Sequence, residues 1–311
     1  MINAARPRSK WVLFVACLLI VADPVAAEDW TIGLSMHFMR DDYAVRLAET
    51  VGQVVAEHPG AELRVTDANA DAARQLTDVE NLVIQGVDAL IVVPIDERAI
   101  LPGIRQANAR NIPVIAITRI PGAEVLTTIG ANGDFENGKA SGELLRERTG
   151  GSGKIAVISI PYNLWRIDER VRGFEEAIAG SDLQVVARQA GLDQARIQDL
   201  VAGILVAHPD LAGIWCTFSN QVVGAADALR MANRGNVVLT GIDADRAIIE
   251  RIRSGWVTGT AAQFPAVQGR LAAEAAFLHL QGQPVDATYE VPVALVTPAN
   301  AEQMAAEIWG E

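Results

Sequence analysis

Cysteine is nearly absent from this 311-residue chain, which holds only Cys17 and Cys216. A chain that starts after residue 27 keeps Cys216 alone, so no internal disulfide can form and stability must come from a packed core. Cys216 closes an apolar run over 211–216 and reads as a small buried hydrophobe. Histidine is scarce as well. His37, His58, His208 and His279 show no metal-ligand spacing. No serine-centred elbow and no dinucleotide glycine pattern is present. The glycines of 150–153 precede a strand rather than open a helix. Ile155 follows Lys154 where a phosphate loop needs Ser or Thr, so the stretch is a connecting loop. These absences argue against an enzyme and predict no metal and no cofactor. Positive charge is also in deficit, with 26 Lys and Arg against 38 Asp and Glu, a net of −12. That balance argues against nucleic acid and anionic membrane surfaces as partners.

The N-terminus departs from this composition. Arg6, Arg8 and Lys10 precede an apolar run from Trp11 to Ala22, then Pro24 and the small residues Val25, Ala26 and Ala27 before Glu28. This is the order of a secretory signal peptide cut after Ala27. The run is shorter than the ~20 residues that span a bilayer. Lipidation at Cys17 is disfavoured, because Phe14-Val15-Ala16 is a poor lipoprotein site and Leu18 to Val21 would be left exposed. Residues 1–27 carry three cations and one anion, so the remaining 284 residues hold a net charge of −14. That length accommodates two domains.

From Thr31 onward, short β-branched apolar runs alternate with amphipathic stretches. The pattern predicts strands at 31–35, 62–66, 88–93, 113–117, 154–159, 183–189, 212–216, 237–242 and 257–262. It predicts helices near 43–57, 71–86, 98–110, 136–148, 167–179, 194–207, 219–232, 245–253 and 265–281. Runs such as Ala89 to Val93 are apolar on both faces, as parallel strands between two helix layers require. The expectation is an α/β protein of two similar doubly wound parallel-sheet lobes. Ligands of open α/β sheets bind outside the carboxyl ends of the strands, which here means a cleft between the lobes.

The segments VTDANAD (65–71), LIVVPID (90–96), IPVIAI (112–117), ERVRGF (169–174), AHPD (207–210), VLTGID (238–243) and TAAQ (260–263) carry a resemblance. In this order and spacing, over about 30–297, the chain resembles the periplasmic ribose-binding protein family. The resemblance implies the type I periplasmic binding protein fold, with a three-segment hinge crossing near Ala131-Asn132, Gln263-Phe264 and Val291-Pro292-Val293. The N-terminal lobe would then be 28–131 plus 264–291, and the C-terminal lobe 132–263 plus 292–311. It implies a periplasmic monomer that captures a monosaccharide or small polyol for a membrane ABC permease, in some members also for a chemoreceptor. A regulator of the same fold would carry an N-terminal helix-turn-helix, and residues 1–27 carry a leader instead. A receptor for a sugar-like signal such as autoinducer-2 stays open, because fold does not separate it from a sugar binder.

A hydroxyl-rich ligand asks for carboxylates to accept, guanidinium and amide groups to donate, and aromatics to cover its apolar face. By resemblance Asp243 and Gln263 follow strands at the cleft edge and touch ligand. Arg170, ahead of Gly173-Phe174, and Arg119, after a strand, match two ligand arginines of the family. His37, Asp41 and Tyr43 match the polar and aromatic positions of the first loop. Thr118 stands where the family commonly has Asp, and Phe218-Ser219 where it has Asn-Asp. Phe218 thus adds an aromatic, and Trp165 offers a second stacking face. The departures put ribose itself in question. Truncating Arg170 or Asp243 is expected to weaken binding and spare the fold.

Overall fold

The computed structural model describes residues 29–161 and 164–310. The expected leader, its cut after Ala27, and Cys17 lie outside the described residues. The chain begins with β1 (Thr31–Met36), α1 (Asp42–Ala56), β2 (Glu62–Asp67), α2 (Ala72–Ile84), β3 (Ala89–Val92), α3 (Leu101–Ala109), β4 (Val114–Ile117) and β5 (Thr127–Ile129). It then enters a second lobe with α4 (Gly133–Arg148), β6 (Ser152–Ser159), α5 (Trp165–Ile178), β7 (Asp182–Ala190), α6 (Gln194–Ala207) and β8 (Leu211–Cys216). That lobe continues through α7 (Ser219–Met231), β9 (Val238–Ile242), α8 (Arg246–Arg253) and β10 (Gly259–Ala262). Helix α9 (Pro265–Leu280) and β11 (Thr288–Tyr289) return to the first lobe, and β12 (Ala294–Val296) and α10 (Ala301–Trp309) end in the second.

Each lobe holds a six-stranded sheet, ordered β11-β5-β4-β3-β1-β2 and β12-β10-β9-β8-β6-β7. All pairings are parallel except β10 with β12. The chain therefore passes between the lobes three times: from β5 to α4, from β10 to α9 and from β11 to β12.

Side chains on a strand alternate between faces, so a strand roofed by helices on both sides must be apolar throughout. In β3, Ala89 and Ile91 pack with α1 and α9, while Leu90 and Val92 pack with α2 and α3. In β6, Ala156 and Ile158 face the α6–α7–α8–α10 layer, and Ile155 and Val157 face α4 and α5. Between β6 and α4–α5, Phe174 stacks on Trp215 at 4.2 Å between centroids, and the Trp215 indole N–H donates to Ser141 Oγ at 2.9 Å. Cys216 is buried in the larger core of this lobe, and burial raises its thiol pKa, as an inert packing residue requires. Elements β5, β11, β12 and α10 were not among the sequence expectations. Three of them are strands of two or three residues, too short to show a period.

Candidate ligand-binding cleft

The carboxyl ends of both sheets open onto one cleft. His37 follows β1, Pro94 follows β3, Thr118 follows β4, Asp243 follows β9 and Gln263 follows β10, and all of them line it. Helices α4 and α5 add Asp134, Asn137, Arg166 and Arg170, and α9 adds Gln268. Phe38 from one lobe and Phe218 from the other supply aromatic surface. Three residues without glycine's freedom take the left-handed backbone here, Ala70 at φ 64°, Thr118 at φ 68° and Asp243 at φ 82°. A β-branched residue held in that region is a strained placement, and such placements cluster at functional sites.

Arg170 is 4% exposed. Its Nε–H donates to Asp134 Oδ1 at 2.8 Å, and a terminal N–H donates to the Thr217 carbonyl at 2.9 Å. Burial opposes its charge, yet the carboxylates of Asp134 and Asp243 outweigh that and hold its pKa above the ordinary value. The other oxygen of Asp134 accepts from the Thr118 hydroxyl at 2.7 Å, which links the end of β4 to α4 across the first crossing. A guanidinium has five N–H donors, so Arg170 retains donors for a ligand.

Asp243 is 5% exposed and straps the cleft floor. One oxygen accepts from the Ser219 backbone N–H at 2.9 Å, at the positive N-terminus of α7. The other accepts from the Gln263 side-chain amide. Asp41 caps α1, accepting from the Ala44 N–H at 2.8 Å. Burial raises its pKa from 3.8 to about 6, and the nearby Asp243 and Asp42 add to the rise against the opposing Ala44 bond. Asp245 is raised too, by burial first and then by Asp243 and Asp41, while a hydrogen bond from the Ser219 side chain works against the shift. The Tyr43 hydroxyl donates to Gln268 Oε1 at 2.7 Å. His37 is 8% exposed, and its Nδ1 has no hydrogen-bond partner among the described residues. Burial and the Arg166 charge lower its pKa to about 3, so the ring is neutral at physiological pH.

Of the nine residues proposed from sequence, His37, Asp41, Tyr43, Arg170, Phe218, Asp243 and Gln263 come together in the cleft. Arg119 and Trp165 lie outside the cleft-lining residues. At the end of β4 it is the Thr118 hydroxyl that turns inward, and Arg119 is exposed to solvent. Trp165 starts α5, where its backbone N–H donates to Glu97. Its neighbour Arg166 reaches the cleft instead, and bonds Glu97 Oε1 and the Ile95 carbonyl, each at 2.9 Å. Sequence reasoning missed Phe38, Asp134, Asn137, Arg166, Asp245 and Gln268. The need for a carboxylate beside a buried arginine was the one available signal, and it pointed to no particular residue.

The lobes are clasped together. Glu97, 2% exposed, pairs with Arg166 at one side of the cleft, and Asp42 pairs with Arg246 at 3.4 Å. Among the described residues no helix is long and apolar enough to cross a membrane.

A family model for the periplasmic binding protein domain matches residues 32–284. The chain belongs to that family. Among relatives of this periplasmic binding protein is the ribose import binding protein RbsB of Bacillus subtilis, 30% identical over 271 residues that cover 87% of this chain and 88% of that one. The Escherichia coli RbsB is 29% identical, covering 91% and 95%. An ABC transporter solute-binding protein of Bacillus halodurans, solved with myo-inositol, superposes with a TM-score of 0.84 at 24% identity, covering 91% of this chain and all of that one, a likeness of fold. A solute-binding protein of Mycobacterium smegmatis, solved with glycerol, gives a TM-score of 0.80 at 25% identity, covering 89% and 96%.

Proposed function

We propose that this protein is the solute-binding component of an ABC importer and captures a monosaccharide or small polyol between its lobes. One observation carries the reading: neutral, anionic and cationic hydrogen-bonding groups converge with two phenylalanines at the carboxyl ends of two parallel sheets joined by three crossings. That mixture suits a ligand whose hydroxyls both donate and accept and whose ring has an apolar face. His37, Asp41 and Tyr43 would contact it from the first lobe, with Arg170, Phe218 and Asp243 from the second and Gln263 at the hinge. Solute would bind one lobe and draw the other over it, because each lobe alone offers only part of the contact set. Closure is then a population shift toward the arrangement that binds solute more tightly. Export by a leader cut after Ala27 would place the protein in the periplasm, where it delivers solute to its permease.

A thermal-shift screen of sugars and polyols tests the reading. A cognate solute at 100 times its dissociation constant adds about 2.7 kcal/mol of stability. A screen in which no sugar or polyol raises the melting temperature would refute it.

A further inference from the structure

The charges that line the cleft do not balance. Two guanidinium groups face it among the described residues, and each already has an anionic partner: Arg166 on Glu97 and Arg170 on Asp134. The nearby Arg246 guanidinium is held by Asp42 and lies over the Trp309 ring. Three further carboxylates, Asp41, Asp243 and Asp245, line the same space. Beyond burial, what acts to raise Asp41 and Asp245 is other carboxylates. Asp41 comes from the first lobe, and Asp243 and Asp245 come from the second. Closing the lobes therefore brings like charges together while expelling water, which strengthens their repulsion.

The neutral groups of the cleft lean the same way. His37, neutral and 8% exposed, leaves Nδ1 without a partner, and Asn137, 6% exposed, leaves its carbonyl oxygen Oδ1 without one. One N–H of the Gln263 amide is taken up by Asp243. A carbonyl oxygen can only accept, and a neutral imidazole has one accepting nitrogen. The closed cleft thus holds two buried polar atoms without a partner, and more carboxyls than its guanidinium groups can pair. A hydroxyl supplies one donor with two acceptor lone pairs, whereas an ammonium supplies three donors and no acceptor.

We infer that the cognate solute is a polyhydroxylated molecule bearing a protonated amine, an amino sugar or aminated cyclitol, with its ammonium seated among Asp41, Asp243 and Asp245. The inference rests on the cleft being a sugar or polyol site and names the class within it. The ammonium would relieve the inter-lobe repulsion, so closure would depend on the charge of the solute as well as on its shape.

Calorimetry at pH 7.5 with matched pairs tests this: D-glucosamine against D-glucose, D-galactosamine against D-galactose, and an aminated inositol against myo-inositol. The expected result is at least a tenfold preference for the amine in one pair, abolished by N-acetylation. Asp245→Asn should shrink that preference about tenfold. Asp41→Asn should also shrink it while keeping the cap of α1, since Asn caps a helix as well as Asp does. Thermal melts confirm that both variants are folded. A neutral sugar or polyol that binds as tightly as its amine overturns the inference and leaves the sugar-site reading standing. Failure of every amine and every neutral sugar or polyol to bind overturns both. A preference for the amine that both variants retain in full overturns the seating among these carboxylates.

Discussion

Truncating Arg170 to Ala would leave Asp134 buried without its guanidinium, and removing one partner of a buried pair costs roughly 3–5 kcal/mol. The sequence expectation that this variant spares the fold is therefore revised: Arg170→Ala should lower the melting temperature and weaken binding together. Arg170→Lys keeps the charge but not the fork that reaches both Asp134 and the Thr217 carbonyl, so binding should still fall. Asp243→Asn is milder. It retains an acceptor for the Ser219 N–H at the start of α7, and calorimetry should show the loss chiefly in affinity. Asp41 gives a pH signature. Its carboxyl holds a proton more tightly in the folded protein, at about 6 against 3.8, so its contribution to stability falls as pH rises from about 4 through 6. Melts of the parent and Asp41→Asn at pH 4 and pH 7 should show the parent losing ground to the variant at the higher pH.

Helices α4 and α5 cross where each presents a glycine. A methyl at Gly138 would strike the backbone of Arg170, and one at Gly173 would strike the backbone of Phe135. This close crossing sets Asp134 and Arg170 within bonding distance, so glycine here governs the site indirectly. Gly173→Ala should force the helices apart, destabilise the protein by more than the ~1–3 kcal/mol typical of overpacking, and weaken solute binding in calorimetry. The same pair shows what sequence can and cannot convey. Gly173-Phe174 was visible as part of a motif, and Phe174 as an apolar residue of a helix. That the glycine exists to admit a second helix 35 residues upstream is a matter of packing, which periodicity does not record. The nine longer strands and nine of the helices were legible because two-sided burial writes continuous apolar runs and one-sided burial writes a helical stripe. Strands β5, β11 and β12 owe their pairing to neighbouring strands rather than to their own residues. Arg119 was misplaced for a related reason, since the positive φ of Thr118 decides which side chain turns inward and no pattern in the sequence reveals it.

At the scale of the whole molecule, two ion pairs link the lobes among the described residues, and Glu97 with Arg166 is the more buried. Glu97→Ala removes that bridge without touching the carboxylates at the centre of the cleft. Solution scattering of the solute-free variant should show a larger radius of gyration than the parent. Its solute affinity should fall about tenfold, equivalent to ~1.4 kcal/mol. An unchanged radius and affinity would mean that the hinge alone sets the balance between open and closed forms. The buried thiol of Cys216 has a practical corollary. A chain that starts at Glu28 has no other sulfhydryl, and this one is sealed inside the second lobe with its reactive thiolate form suppressed. Cysteines placed at Ile84 on α2 and Val206 on α6, which are 64% and 81% exposed, would take up maleimide dyes while Cys216 stays unlabelled. Energy transfer between the two dyes would turn the closing of the lobes into an optical signal, and the protein into a reagentless sensor for whatever solute it carries.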